Sequence, residues 1–469
     1  MNKNKELAKN TFIITIGRIS TQLINFLLLP LYTARLTTEE YGVVDLIGTY
    51  SQLLLPIMIF QMDQALLRFM IKERTSENNN QKCISTTYFF FALQIFVFSL
   101  LYFVVVCFID NEYILFLYLT ILATGLSGLL LQTTRGFGDN ITYSISGFIS
   151  GVATIICNII FITVINMHAV GMILAMIIGN MAASLFILFK KKIFTYIKVK
   201  DFDYGLLKQM LKYAWPLIPN ALIWWMVNAS DRSIILLFLG SSANGILAVS
   251  HMFPSLIITV YNIFHLSWTE SAALHLKEED KDDFFSNVFE IVLRFFSAAG
   301  IMTIAILPFV FSIFVDTDYH EAYYQIPIFI IASLFNIIAG LYSVIYLAEM
   351  NTVEIAKTSL LAGLINVVLN LVLVSWIGLY AASISSAVSF GIIALYRAVD
   401  TRKYIKQKIS YRDLLVILLG LIIGFFTYYS SSIIPNIIFL FFATIVSVWL
   451  NRRLFKKILG GIKKKIIWR

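Results

Sequence analysis

Long apolar stretches, separated by short polar segments, run along almost the whole chain. About 20 mostly apolar residues are enough for a helix to cross the hydrocarbon core of a membrane. Fourteen stretches of this kind are centred near residues 20, 54, 96, 122, 153, 178, 226, 259, 298, 335, 364, 388, 422 and 443. The connecting segments are short. The pattern predicts an all-α membrane protein with about 14 transmembrane helices, called predicted helices 1 to 14 below.

Traces of an internal repeat suggest how these helices are grouped. LTTEEYGVVDL, from Leu36, aligns with LGSSANGILAV, from Leu239, and Gly42 then matches Gly245. A second alignment has equal spacing at Gly151, Thr154 and Asn158 and at Gly363, Asn366 and Asn370. Two six-span units that each return to their starting side have the same orientation. We expect two pseudo-symmetric six-helix lobes, residues 1–200 and 201–408, followed by predicted helices 13 and 14 with a basic tail, residues 409–469.

The placement of charge predicts the orientation. Most of the 36 Lys and Arg residues precede predicted helix 1, lie in every second loop or follow predicted helix 14; the exceptions are Arg18, Arg35, Arg232 and Arg294. Basic residues accumulate on the cytoplasmic side of membrane proteins. Both termini are therefore predicted to be cytoplasmic, and the net charge of +9 indicates topology signals and anionic-lipid contacts rather than nucleic acid. The apolar run after the basic opening MNKNKELAKN has no small-residue cleavage site, so we expect a retained helix.

Composition excludes several classes of protein. Hydrophobic residues make up 59% of the chain and charged residues 13%, and the mean hydropathy is +0.82, far from a soluble protein. The three cysteines, Cys83, Cys107 and Cys157, have no metal-binding spacing and an odd count. The sequence contains no HExxH, and RGFGDN follows a helix rather than the strand that a phosphate loop needs. We expect neither a metal site nor an enzyme.

Polar residues form stripes on four of the predicted helices. The stripes are Thr11, Thr15, Arg18, Gln22 and Asn25 on predicted helix 1; Asp45, Thr49, Gln52 and Asp63 on predicted helix 2; Asn220, Trp224, Asn228 and Asp231, beside Arg232, on predicted helix 7; and His251, Pro254, Asn262, His265 and Thr269 on predicted helix 8. Stripes facing lipid would be costly, so we expect them to surround a wet cavity. Taken singly, the uncharged members are better explained as interhelical hydrogen-bonding groups.

The charged members carry more information than the uncharged ones. An ionised side chain near mid-membrane costs about 2.5–3.5 kcal/mol, so it needs a partner or a function. Glu290 and Arg294 are four residues apart on one helix and are expected to pair. Arg18 either has an acidic partner, Asp45 or Asp63, or binds an anionic ligand. Asp231 is expected to pair with a cavity cation or to carry the coupling charge.

Histidine and tryptophan in the stripes have two interpretations each. His251 and His265 could relay protons, since histidine titrates near neutral pH, but satisfied core histidines are commoner. Trp224 and Trp225 could stack on sugar rings, but aromatic residues make up 15% of the chain and most pack or face lipid.

Several motifs resemble one known family. INFLLLPLYTARLTTEEYGVVDL, MDQALLRF, QTTRGFGDNITYSISG and GLINVVLNLVLVSWIGLYAASIS are similar to segments of Wzx-type polysaccharide flippases of the MOP (MATE-like) transporter superfamily. The features that match include Pro30, Gly42, Arg135, Asn366 and Gly378. Together with the helix count, the resemblance covers essentially the whole chain.

The resemblance implies an architecture and a substrate. It implies two lobes forming a V, with predicted helices 1, 2, 7 and 8 around a central cavity. It implies transfer of an undecaprenyl-pyrophosphate-linked oligosaccharide from the cytoplasmic to the outer leaflet. Arg18 resembles an arginine in the first helix of the related lipid II flippases, and by that likeness would neutralise the pyrophosphate. The second half of the chain offers only Arg232 and Arg294 as further cavity cations.

The sequence thus predicts a flippase that works by alternating access, in a bacterial cell membrane, for capsule, exopolysaccharide or O-antigen synthesis. The expected partners are the lipid-linked oligosaccharide, membrane lipids, a polysaccharide polymerase and glycosyltransferases; the expected cofactors are none, apart from a coupling ion, H⁺ or Na⁺. The alternatives are a multidrug or cation exporter of the same superfamily and a membrane-embedded polymerase, although the large outer loop expected of a polymerase is absent. The predicted substrate-binding residues are Arg18, Gln22, Asn25, Gln52, Asp63, Arg68, Trp224, Asn228, Asp231, Arg232, Asn262 and His265.

Overall fold

The computed structural model describes residues 26–72, 76–109, 111–276, 278–408, 410–430 and 432–467. Within these ranges it describes every side chain except those of residues 224, 227, 228, 266, 270, 273, 274 and 453–467. The contacts divide the chain into two compact units, Met1–Ser233 and Ile234–Arg469. The predicted boundaries at residues 200 and 408 remain predictions.

The first unit consists of helices packed around α5. Its helices are α1 (Leu29–Arg35), α2 (Thr38–Met58), α3 (Met62–Lys72), α4 (Glu77–Phe108), α5 (Tyr113–Gly136), α6 (Asn140–Asn158), α7 (His168–Lys191), α8 (Tyr204–Ala214) and the beginning of α9 (Leu217–His275). A π-helical segment, Ile159–Val164, extends α6. Helix α5 packs against α2, α3 and α7, and α7 also packs against α6. The buried core lies between α3, α4 and α5 and includes Met62, Leu66, Ile84 and Ile121.

The second unit continues α9 and adds six helices. They are α10 (Lys281–Phe314), α11 (Glu321–Ala348), α12 (Thr352–Ile377), α13 (Tyr380–Asp400), α14 (Tyr411–Tyr428) and α15 (Ile433–Ile467). Helix α13 packs against α11 and α12, and α10 packs against α14 and α15. Helices α14 and α15, which correspond to predicted helices 13 and 14, are therefore attached to the second unit through α10.

The protein is an all-α, multi-pass membrane protein. In the part of the chain that the structure describes, 11 helices are long and apolar enough to cross a membrane, or up to 12 if the bent pair α2 and α3 forms one span. Large apolar side chains such as Phe96 and Phe103 on α4 are more than 60% exposed, as expected for a lipid-facing surface. The count of 14 is not confirmed, because the centre of predicted helix 1 lies outside the described residues and predicted helices 7 and 8 both fall within α9.

The first alignment of the internal repeat joins two equivalent starts of helices. Helix α2 begins after Thr37, whose side chain accepts a hydrogen bond from the Glu40 amide while Glu40 bonds back to the Thr37 amide. This capping box fixes where the helix starts. The aligned residue in the second half is Gly240, which interrupts α9 with a φ of 87°. Because only glycine adopts this conformation easily, the helix restarts at the same place in both halves.

The second alignment joins two buried asparagines. Asn158 and Asn370 are both fully buried, and neither side-chain amide has a hydrogen-bond partner within the described part of the chain. Asn366 is also buried and donates to Ser386 at 3.2 Å. Equal burial of aligned asparagines in helices α6 and α12 supports a duplication of the helical unit.

Candidate functional site

Three charged side chains of the first unit meet between α2 and the beginning of α9. Asp45 lies two turns into α2, and its Oδ2 accepts a hydrogen bond of 2.7 Å from Nε of Arg232. Asp231 precedes Arg232, and its Oδ1 lies 3.6 Å from Nη1 and accepts the Arg232 amide at 2.9 Å. The three side chains are 22%, 15% and 6% exposed, in the order Asp45, Arg232, Asp231. We call these three residues the ion triad.

Aromatic contacts next to the ion triad hold the same two helices together. The indole Nε1 of Trp225 donates to the Thr49 carbonyl at 2.8 Å, and its ring stacks on Tyr50 at 6.4 Å between centroids. The Tyr50 hydroxyl lies 3.2 Å from the Ser233 hydroxyl. Trp225 therefore has a packing role in this structure, as the commoner interpretation of tryptophan predicts.

The electrostatics of the ion triad oppose the separation of α2 from α9. Removing one partner from a buried ion pair leaves an uncompensated charge, which is strongly unfavourable. The triad contains two carboxylates for one guanidinium, so it is negative overall when all three groups are ionised. Separation of α2 from α9 would have to expose these charges to water or supply them with a new partner.

A second site in the first unit lies where α2 gives way to α3. The two helices are bent by 55° at the break. Asp63 follows the break, in the first turn of α3, and its Oδ2 accepts a hydrogen bond of 2.7 Å from the Gln64 amide. Its Oδ1 is buried without a hydrogen-bond partner within the described residues.

The structure describes some of the predicted site residues and not others. It brings Asp231 and Arg232 together; Gln52, Arg68 and Asn262 are exposed, and Asp63 and His265 are partly buried. His265 belongs to the second unit, where its carbonyl accepts the Thr269 hydroxyl at 2.9 Å. Outside the described residues or side chains are Arg18, Gln22, Asn25, Trp224 and Asn228.

Sequence reasoning left Asp45 out of the predicted site. The sequence does contain a signal for Asp45, because a carboxylate that lies inside a span and on a polar stripe needs a partner. The partner, Arg232, is distant in sequence, so only the packing of α2 on α9 shows the pair.

Arg294 is paired, which corrects its proposed use as a cavity cation. The predicted partner is confirmed, because Glu290 Oε2 lies 3.0 Å from Arg294 Nη2. A second carboxylate, Asp413 on α14, accepts from Arg294 Nε at 2.8 Å. Two acids thus compensate this arginine, and their contact ties α14 to α10.

Arg397 is a buried arginine, although the pattern of basic residues predicts that it lies in a cytoplasmic loop. It lies in the last turn of α13 and is 6% exposed. It donates to Thr358 Oγ1 at 2.6 and 3.0 Å, to the Ala339 carbonyl at 3.0 Å and to Ser359 at 3.1 Å. No carboxylate of the described chain lies within ion-pair distance of it. Arg397 therefore joins α11, α12 and α13 through neutral acceptors.

Metal ligation has no candidate among the residues described. No group of three His, Cys, Asp or Glu side chains there could hold a metal ion.

Many apolar helices enclosing paired charges define a multi-pass membrane protein. The chain belongs to the polysaccharide biosynthesis protein family, whose sequence pattern matches residues 7–267. No curated protein sequence matches it significantly.

Solved structures share the fold. The chain is 15% identical to the lipid II flippase MurJ in an inward closed conformation, with a TM-score of 0.71 over 96% of this chain and 100% of that one. It is 13% identical to a multidrug resistance MATE family transporter of the MOP superfamily in an inward-facing conformation, with a TM-score of 0.67 over 84% of this chain and 98% of that one. An outward-facing MATE structure gives 14% identity and a TM-score of 0.58, over 85% and 96%.

Proposed function

We propose that the protein is a flippase for a lipid-linked oligosaccharide, namely an undecaprenyl-pyrophosphate-linked repeat unit moved from the cytoplasmic to the outer leaflet. The observation that carries the proposal is membership of the polysaccharide biosynthesis protein family, combined with a fold similar to that of the lipid II flippase MurJ. A polysaccharide made on a lipid carrier must cross the membrane at some stage. The proposed product is capsule, exopolysaccharide or O-antigen.

The share of the chain covered by each structural match favours a flippase over a drug exporter. The lipid II flippase covers 96% of this chain, whereas the MATE transporters cover 84–85% of it although they are themselves matched almost completely. The difference is close to the share of the chain in residues 411–469, the segment that contains α14 and α15. A multidrug or cation exporter remains the second candidate, because the MATE fold is also similar.

The proposed mechanism is alternating access around the polar stripes. Arg18 would hold the pyrophosphate, because a guanidinium is permanently charged and can bind phosphate oxygens in pairs. Gln22, Asn25, Gln52, Arg68, Asn228, Asn262 and His265 would contact the sugars or phosphates. The ion triad would separate and re-form as predicted helices 2 and 7 move.

We propose a bacterial cell membrane as the location, with both termini in the cytoplasm, and glycosyltransferases and a polymerase as the proteins acting before and after the flippase. The movement requires an energy source, which we propose is an H⁺ or Na⁺ gradient. An enzyme such as a membrane-embedded polymerase is disfavoured by the family and by the transporter fold.

The experiment is the replacement of Arg18 in a strain whose surface polysaccharide depends on this protein. Arg18→Ala should stop export while the protein reaches the membrane in normal amount, and Arg18→Lys should retain part of the export because the charge persists without the paired geometry. Arg402→Ala, an exposed arginine outside the site, is the control. Normal export from Arg18→Ala would refute the pyrophosphate role. Loss of the protein itself would show that Arg18 is half of a structural ion pair.

A further inference from the structure

The break between α2 and α3 holds a backbone conformation that most residues avoid. Phe60 and Gln61 have φ values of 51° and 53°, in the left-handed region. Neither is glycine, and each such residue costs about 1–3 kcal/mol, so the conformation persists only where the surrounding structure imposes it. Outliers of this kind concentrate at functional sites, and broken membrane helices are where transporters hold their coupling ions.

The residue that follows this break is an acid, Asp63, which is partly buried. Met62, Ala65 and Leu66, which surround Asp63 in sequence, are fully buried in the core of the first unit. The Asp63 Oδ1 atom is buried and has no hydrogen-bond donor within the described part of the chain, and only Gln64 bonds its other oxygen. The Gln64 amide and the N-terminal turn of α3 compensate an ionised carboxylate there only in part for its lost hydration, whereas a protonated carboxyl is neutral.

Within the described part of the chain, the charged groups on neighbouring helices do not pair with Asp63. Helix α3 packs against α4, α5 and α8. The charged residues of these three helices are Glu77, Lys82, Arg135, Lys208 and Lys212, and α3 itself also carries Arg68 and Lys72. Lys82 pairs with Asp203 at 3.9 Å, Arg135 donates to Gln132, and the Tyr88 hydroxyl bonds Thr133. In the described chain none of these groups forms an ion pair with Asp63.

We infer that Asp63 is a proton-binding site, protonated in the arrangement described here and ionised when the α2–α3 break opens to water. A proton leaves the carboxyl for water on one side of the membrane, and the carboxylate takes up a proton from the other side. A sodium site would need several oxygen ligands around Oδ1, and no group of three His, Cys, Asp or Glu side chains among the described residues could hold a metal ion. Use of this proton to drive transport rests on the proposed function, but the binding of the proton does not.

The test is infrared spectroscopy of the purified full-length protein in lipid nanodiscs. At neutral pH the wild type should show the carbonyl stretch of a protonated carboxylic acid, sensitive to deuteration, and Asp63→Asn should lack it. Asp283→Asn is the matched control, since Asp283 is 72% exposed and paired with Lys408; it should keep the band. Asn resembles a neutral carboxyl, so Asp63→Asn should fold and melt at or above the wild-type temperature.

Three results would overturn the site: the band persists in Asp63→Asn, the wild type lacks it at neutral pH, or sodium ions abolish it. The first assigns the proton to another carboxyl, the second makes Asp63 a permanent carboxylate, and the third makes it a sodium ligand. Because no substrate is used, these results are independent of whether the protein is a flippase.

The coupling role is tested separately. Dissipating the proton gradient should reduce export by the wild type but should not change the residual export of Asp63→Asn. An equal reduction in both would refute the coupling role.

Discussion

In the first unit, we expect a substitution in the ion triad to cause the largest loss of stability of any single substitution. Arg232→Ala leaves Asp45 and Asp231 partly buried without their shared cation, and the expected loss of stability is about 3–5 kcal/mol. Adding Asp45→Asn should recover part of the loss because one of the two carboxylates is neutralised. Thermal unfolding of the purified variants measures both effects. Arg402→Ala should change stability by less than about 0.5 kcal/mol, and an equally small effect of Arg232→Ala would mean that the pair is not formed.

We expect the stability of the protein to depend on pH through Asp139, which lies in the loop between α5 and α6. Partial burial alone would raise the pKa of Asp139, but hydrogen bonds from Lys191 and Thr142 lower it to about 2. A lowered pKa in the folded state stabilises the protein above the pKa of the unfolded chain, and this contribution is lost as the pH falls through about 2. Asp139→Asn retains the helix cap but not the charge. It should lower the melting temperature at pH 7 and have a smaller effect at pH 3; equal effects at both would contradict the assignment.

The sequence predicted individual charged residues better than their partners. Glu290 and Arg294 were paired correctly because residues four apart meet on one helix face. Asp413 joins that pair from more than a hundred residues away, and Asp45 finds Arg232 across an even longer separation. No periodicity within a helix contains this information, because it depends on which helices pack together.

Replacement of glutamine by glycine should have opposite effects on stability at the α2–α3 break and inside α2. Gln61 is left-handed, so Gln61→Gly should stabilise the protein by about 1 kcal/mol. Gln52 lies inside α2, where Gln52→Gly should destabilise it by about 1 kcal/mol. Melting temperatures of the two variants provide the comparison. If both variants are destabilised, the left-handed conformation at Gln61 is not populated.

Helix positions were predictable from the sequence, whereas breaks and continuations were not. Every predicted centre from residue 54 onward falls inside a helix, because a run of apolar residues alone signals a span. The bend after Met58 falls within one apolar run, so hydropathy does not distinguish it from a straight helix. The polar residues after Gly240 mark the interruption of α9, but the structure carries the helix on after this kink instead of forming a loop.

The orientation of the whole chain is testable by labelling. Ser242 and Glu279 are exposed at the two ends of predicted helix 8, and the charge pattern puts Ser242 outside and Glu279 inside. In a background without the native cysteines, Ser242→Cys should react with an impermeant thiol reagent in intact cells and Glu279→Cys only after lysis. Labelling of Glu279→Cys in intact cells would reverse the topology and place both termini outside.

Function could be predicted only in part from the sequence. The resemblance around Gly42 and Arg135 gave the superfamily, and the match of residues 7–267 to the polysaccharide biosynthesis protein family agrees with it. The sugars of the substrate depend on hydrogen bonds lining a cavity, and Asn, Gln and His on a stripe serve equally for sugar contacts and for helix packing.

Reconstitution into liposomes tests the flippase most directly. Vesicles carry the purified protein and an undecaprenyl-pyrophosphate-linked oligosaccharide with a labelled sugar, and a membrane-impermeant glycosidase added outside reports how much of it is accessible. With a proton gradient imposed in either direction, the wild type should make the protected half of the lipid accessible, and Arg18→Ala should behave like protein-free vesicles. The account would be contradicted if, with the wild type, the glycosidase reached no more of the labelled lipid than in protein-free vesicles. If the same vesicles then transported a cationic dye, the protein would be an exporter.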